Sequence, residues 1–167
     1  MLVFAVFFGT FLVERASAPE AFDAGRQTLH LGVGVLNTLV LLTSSLCVVA
    51  FLGALRASAP VVATRAIAAA LGFGVLFVAL KIYEYASLAS AGHGPGAGDF
   101  YLYYFILTGL HLFHVCVGLA VLVLLMTQAR RTEFSETRLA MIEGGGCFWH
   151  LVDLLWIVLF PLLYLVS

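Results

Sequence analysis

The chain has 167 residues, 63% of them hydrophobic and 10% charged, with a formal net charge of -1 and a mean hydropathy of +1.10. A soluble domain is nearer half apolar and a quarter charged, and a globule of this size must still cover itself with polar groups, so a soluble fold is excluded. Eight basic side chains against nine acidic ones also exclude the basic patch that nucleic-acid binding needs.

The first apolar run, Met1 to Val13, is short of the roughly 20 residues that cross a bilayer. Continued through Glu14 and Arg15 it gives a predicted span over 1–15. It opens without a basic leader or a small-residue cleavage site, so no separable signal peptide is expected. The abrupt start points either to a helix at the very terminus or to missing first turns. A polar connector follows from Ala16 to Gln27, with Pro19, Asp23 and Arg26. The second span is predicted over 29–55 and, after a connector from Arg56 to Arg65, the third over 66–88. Ser90 to Asp99 is a glycine-rich loop that no helix tolerates. The fourth span covers 100–128, a polar stretch runs from Arg130 to Arg138, and the fifth span covers 140–166. These runs are far longer than a tilted barrel strand, and only helices and closed barrels satisfy their backbone in lipid. The expectation is an all-α integral membrane protein, a single five-transmembrane-helix bundle over 1–167.

Orientation follows from basic residues in short connectors. Arg56, Arg65, Arg130, Arg131 and Arg138 fall on one side, and only Arg15 and Arg26 on the other, with Glu14, Glu20, Asp23 and Asp99. The N-terminus is therefore expected in the cytoplasm and the C-terminus outside it.

Ionisable groups at membrane depth need a partner, a wet cavity or a task. Glu143, His150 and Asp153 lie in the last span, His111 and His114 in the one before it. The pairs 111/114 and 150/153 are three apart, hence on one helix face, and Glu143 shares a side with His150. At about 1.5 Å per residue His114 and Asp153 reach similar depths, so a polar seam between the last two helices is expected. Two readings stay open on the residues alone: metal or haem ligation, and a hydrogen-bonded cluster that fixes helix packing. Lys81 and Glu84 are placed to pair at i, i+3, with Lys81 also able to snorkel to the interface. A substrate or proton path is the functional alternative. Asn37 aligns with Ser44 and Thr38 with Ser45, a stripe suited to interhelical hydrogen bonds. Gly144 to Gly146 suit close approach by a neighbouring helix or lipid headgroup. No Lys-Ser/Thr follows them, which excludes a phosphate loop. Cys47, Cys116 and Cys147 lie inside apolar runs without metal-ligand spacing and read as small hydrophobes.

Four groups of residues, in order on successive spans, resemble subunit III of the haem-copper oxidases. They are Leu36-Asn37-Thr38 with Leu41-Leu42-Thr43-Ser44-Ser45; Glu84-Tyr85; Thr108-Gly109-Leu110-His111-Leu112-Phe113-His114-Val115-Cys116-Val117-Gly118; and Glu143 with Trp149-His150, Asp153 and Trp156. The resemblance covers nearly the whole chain. Full-length members have seven helices, the first two forming a separate pair across a lipid-filled cleft. Five spans resemble the shorter branch that lacks this pair, which includes proteins associated with bacterial nitric oxide reductases. The opening Met1-Leu2-Val3-Phe4-Ala5-Val6-Phe7-Phe8 resembles the helix whose acidic residue, just upstream, is linked to carbodiimide sensitivity and proton uptake. That carboxylate has no counterpart here.

The resemblance implies a non-catalytic accessory subunit of a bacterial respiratory oxidase or nitric oxide reductase complex, in the cytoplasmic membrane. Its role would be assembly, stability and support of proton uptake. It implies no cofactor in this chain, structural lipid, and haem and metals in a catalytic partner subunit. Asn37, Glu84, His111, His114, Glu143, His150, Asp153 and Trp156 are then intramembrane polar packing residues. Two alternatives remain: a haem-binding membrane anchor using His111, His114 or His150, and a small transporter built around Lys81 and Glu84. Broken spans and an inverted repeat, which mark many transporters, are not evident.

Overall fold

Hydrocarbon offers backbone groups no hydrogen-bond partners, so long apolar runs without internal proline close their bonds within each segment as helices. The computed structural model describes residues 2–17, 19–129 and 136–165. Helix α1 covers Leu2–Ser17, α2 Pro19–Gln27, α3 Leu31–Arg56, α4 Pro60–Ser90, α5 Asp99–Ala129 and α6 Glu136–Phe160. A π-helical turn over Pro161–Leu165 ends α6. Four helical stretches, Leu31–Arg56, Pro60–Ser90, Asp99–Gln128 and Leu139–Leu165, are long and apolar enough to cross a membrane. The 16 residues of α1 measure only about 24 Å, less than the hydrocarbon thickness of about 30 Å.

Short connections make the long helices antiparallel neighbours. Helix α3 packs on α4, α4 on α5, α5 on α6, and α6 returns to α3, closing a four-helix ring. Helices α1 and α2 lie against α5. The core is continuous through Leu41 and Phe51 of α3, Ile67 and Phe77 of α4, Leu107 and Leu122 of α5, and Trp149 and Trp156 of α6.

The connector expected over residues 16–27 is largely helical. Pro19 opens α2, where a missing N–H is harmless, and Glu20 and Arg26 sit at the ends that the helix dipole favours. One apolar residue fastens it: Phe22 is buried edge-on against Phe11 and Phe100, with ring centroids at 5.4 and 5.8 Å. Helix α4 begins at Pro60 rather than at 66, so Arg65 is a helical residue and not part of a connector. Helix α6 begins at Glu136 rather than at 140. Of the residues that set the expected orientation, Arg130, Arg131 and the side chain of Arg138 lie outside the described residues, as do Met1 and Val166.

The α3–α4 turn is a tight helix stop. Ala59 N–H donates to Ala54 O and Ser58 N–H to Leu55 O, with Ser58 at φ 52°. This is the Schellman arrangement, which normally places glycine at the left-handed position. The end of α4 repeats it with Gly92 at φ 80°, where His93 N–H donates to Leu88 O and Gly92 N–H to Ala89 O. Serine in that conformation carries a steric penalty that glycine avoids, so Ser58→Gly is expected to stabilise the bundle by up to about 1 kcal/mol. A denaturant titration in mixed micelles checks the sign.

Close helix approach rests on small residues beneath one indole. A Cβ built on Gly74 meets Trp149 Cη2 at 2.9 Å, and one on Gly118 meets Trp149 Cε3 at 2.7 Å. Trp149 thus fills notches in both α4 and α5. Gly145 faces Val121 and Leu125 of α5, and Gly146 faces Val48 and Leu52 of α3. The expectation of close helix approach holds for these two, while Gly144 meets nothing within 4 Å.

Candidate functional site

The densest polar cluster lies where α4, α5 and the last turn of α6 meet, at the end of the bundle opposite the α3–α4 turn. Lys81 and Glu84 share a face of α4 at i, i+3 and form an ion pair of 2.7 Å, with side chains 1% and 4% exposed. Lys81 Nζ also donates to Tyr104 Oη at 3.2 Å and Tyr164 Oη at 3.1 Å, so its three protons are all used. Tyr164 Oη donates to Glu84 Oε1 at 2.6 Å. The ammonium also stands 4.6 Å from the Trp156 ring centroid, a cation–π contact. Lys81 therefore turns inward and does not snorkel. An unpaired charge here would carry a large desolvation cost, and the tyrosines and indole supply what water would have supplied.

Pro161 helps set this geometry. It lacks an N–H and cannot continue the regular ladder, and the helix passes there into the wider turn that carries the buried Tyr164. Alongside, Tyr85 Oη lies 2.6 Å from Thr108 Oγ1, which donates to Tyr104 O at 2.5 Å. Tyr104 and Tyr164 were not singled out in the sequence. Counting depth finds them: each lies within about two turns of the same end of its span as Glu84, and a buried lysine needs partners at that depth.

The other polar residues do not form the seam expected between the last two helices. His150 Nδ1 meets Ser45 Oγ of α3 at 2.5 Å, and Asp153 lies next to both Ser45 and His150. His114 Nδ1 bonds the carbonyl of Leu110 in its own helix, and its ring meets Phe4 of α1 at 5.4 Å. His111 is enclosed instead by Phe77 at 5.8 Å and Trp156 at 5.3 Å. Three residues on a helix are separated by about 300° and not by a full turn, enough to send His111 into the core and His114 towards α1. Glu143 pairs with Arg56 at 2.6 Å, largely exposed, joining the start of α6 to the end of α3.

The α3 stripe does link helices. Ser44 Oγ donates to Ala70 O of α4 at 2.8 Å, and Trp156 Nε1 donates to Thr38 Oγ1 at 3.0 Å. Asn37 is fully buried, and neither its amide atoms nor the ring nitrogens of His111 have a hydrogen-bond partner among the described residues. Ser45→Ala is expected to cost about 1 kcal/mol, the scale of one interhelical hydrogen bond in a bilayer. Comparing the unfolding free energies of the two proteins in bicelles measures it.

Among the described residues no three His, Cys, Asp or Glu side chains converge as a metal-binding group. Cys47, Cys116 and Cys147 are free, the last two exposed.

Four membrane-length helices tied by buried polar contacts define a multi-pass α-helical membrane protein. A family model of cytochrome c oxidase subunit III matches residues 1–167. The chain belongs to the cytochrome c oxidase subunit III family. It is 31% identical over 149 residues to heme-copper oxidase subunit I+III of Aeropyrum pernix, covering 88% of this chain and 18% of that protein. It is 29% identical over 164 residues to cytochrome c oxidase subunit 3 of Synechocystis sp., covering 98% and 69%. It is 34% identical over 95 residues to cytochrome bo(3) ubiquinol oxidase subunit 3 of Pseudomonas putida, covering 57% and 46%. The matched regions are thus less than half of two of these relatives and about two thirds of the third.

Proposed function

We propose that this chain is a non-catalytic accessory subunit of a respiratory haem-copper oxidase complex, supporting its assembly and stability while a partner subunit holds haem and metals. The observation that carries the reading is the family match over the full chain. The named relatives from Synechocystis sp. and Pseudomonas putida are themselves third subunits of oxidases. The internal geometry is in keeping with it, because the buried charges of Lys81 and Glu84 are spent on each other and on two tyrosines. The finer reading is a chain of the short, five-helix branch, in a bacterial cytoplasmic membrane with the N-terminus inside. Its partner then belongs to the oxidase or nitric oxide reductase group, its polar residues serve helix packing, and structural lipid and support of proton uptake belong to the same role.

Affinity purification of the tagged chain from native membrane tests this. A haem-bearing catalytic subunit is expected to co-purify in fixed ratio, with the absorption spectrum assigned to that partner. Deleting the chain is expected to leave the partner's haem content intact and to shorten the working lifetime or lower the assembly yield of the complex. Stoichiometric haem or copper in the isolated chain would overturn the reading in favour of a haem-binding anchor.

A further inference from the structure

Asn37 of α3 and His111 of α5 are both 0% exposed. The amide oxygen and nitrogen of Asn37 and both ring nitrogens of His111 have no hydrogen-bond partner among the described residues. Hydrocarbon around the bundle supplies none, and a buried polar atom left unpaired carries a desolvation cost. Folded proteins meet that cost by pairing such groups with protein or with ordered water. The indole of Trp156 sets the two residues at one level. Its Nε1 donates to Thr38 Oγ1 at 3.0 Å, next to Asn37 in the chain, and its ring lies 5.3 Å from that of His111. Helices α3 and α5 stand across the four-helix ring from one another.

The other polar groups at this level are already committed. Thr38 Oγ1 donates to Gly34 O at 2.9 Å while it accepts from the indole. The three protons of Lys81 go to Glu84, Tyr104 and Tyr164. Thr108, on the turn before His111, is held by Tyr85 and by the carbonyl of Tyr104. Asn37 and His111 do not reach each other directly. An amide offers two N–H donors and a carbonyl acceptor, and a neutral imidazole offers one donor and one acceptor. Their common complement is a small molecule that both donates and accepts. The same two side chains supply the two to four polar contacts that a buried water needs. Water also has an approach. Val33 and Glu84 line a cleft of about 160 Å³ where α3 starts and α4 ends. Asn37 lies one turn deeper than Val33 on α3, and Lys81 one turn deeper than Glu84 on α4.

We propose that an ordered water molecule binds between Asn37 and His111, beside Trp156 and Phe77, and links α3 to α5 across the ring. It accepts from the Asn37 amide and donates to the unprotonated ring nitrogen of His111. A bond through water is nearly as favourable in enthalpy as a direct one, so the bridge braces the diagonal pair of helices that do not pack side by side. The site takes water and not a metal ion. Asn37 and His111 are only two ligands, no group of three His, Cys, Asp or Glu converges among the described residues, and the Lys81 ammonium stands 4.6 Å from the Trp156 ring centroid. The inference concerns the interior of this chain and does not rest on which partner it joins.

The test is solid-state NMR of the full chain in lipid bilayers with its histidines labelled with ¹⁵N, reading magnetisation transfer from water protons to the ring nitrogens. The His111 signals are assigned by their loss in His111→Phe. In the wild type a His111 ring nitrogen is expected to receive transfer from water although the side chain is fully buried. In Asn37→Leu that transfer is expected to fall several-fold, with the signals of His114 and His150 unchanged. The wild-type result decides by itself should Asn37→Leu fail to fold. Absence of water transfer to His111 in the wild type overturns the proposal. So does transfer from a protein proton in place of water, or transfer that persists undiminished in a folded Asn37→Leu.

Discussion

Lys81→Met is expected to destabilise the bundle by about 3–5 kcal/mol, because it leaves the Glu84 charge buried without its counter-ion. Glu84 is 4% exposed and would keep only the Tyr164 hydroxyl as a donor. The methionine matches the lysine stem in length, so packing against Trp156 changes little. The loss is therefore electrostatic and not steric. The double variant Lys81→Met/Glu84→Gln removes both charges, and most of the stability is expected to return. Replacing a whole buried ion pair is often neutral, whereas breaking one is not. The measurement is a double-mutant cycle of unfolding free energies in mixed micelles, with a coupling energy of about 2–3 kcal/mol expected. If Lys81→Met alone melts like the wild type, the pair is not holding α4, α5 and α6 together.

Trp149→Ala has the next largest expected effect, again about 3–5 kcal/mol, the range for deleting a buried large aromatic. Lipid outside the bundle is as apolar as the core, so in a membrane the cost is lost packing contact more than lost transfer energy. Trp149 is 1% exposed and fills the notches at Gly74 and Gly118. The notch and the knob define each other, which gives a second arm. Gly74→Ala alone is expected to destabilise, since its Cβ would stand 2.7 Å from Leu119 Cδ2 and 2.9 Å from the indole. Combined with Trp149→Phe, which withdraws the indole's outer ring and leaves only the end of the Leu119 side chain to turn aside, the same alanine is expected to cost less than it does alone. Additive penalties in that combination would mean the glycine and the indole do not constrain one another.

The sequence already carried the four membrane-length helices, because crossing lipid depends on a sum of side-chain hydropathies along one segment. It carried the pairing of Lys81 with Glu84 too, since i, i+3 neighbours on a helix meet wherever the helix goes. It did not carry α2, whose polar composition hides the single phenylalanine that fastens it. It misplaced the seam of His111, His114, His150 and Asp153 because depth was inferred and rotation about each axis was not. The four residues share two faces in the sequence and three different neighbours in the fold: Trp156 and Phe77, Phe4, and Ser45.

Membrane embedding, helical class and the likeness to subunit III were thus determined by the residues taken one segment at a time. Tertiary structure alone decided that Tyr104 and Tyr164 converge on Lys81, that Trp149 seats between two glycines, and that His150 answers to α3. Hydropathy is a property of a segment by itself, whereas a hydrogen bond between helices depends on how each is turned about its axis. In a helix apolar on every side, no amphipathic pattern announces that rotation.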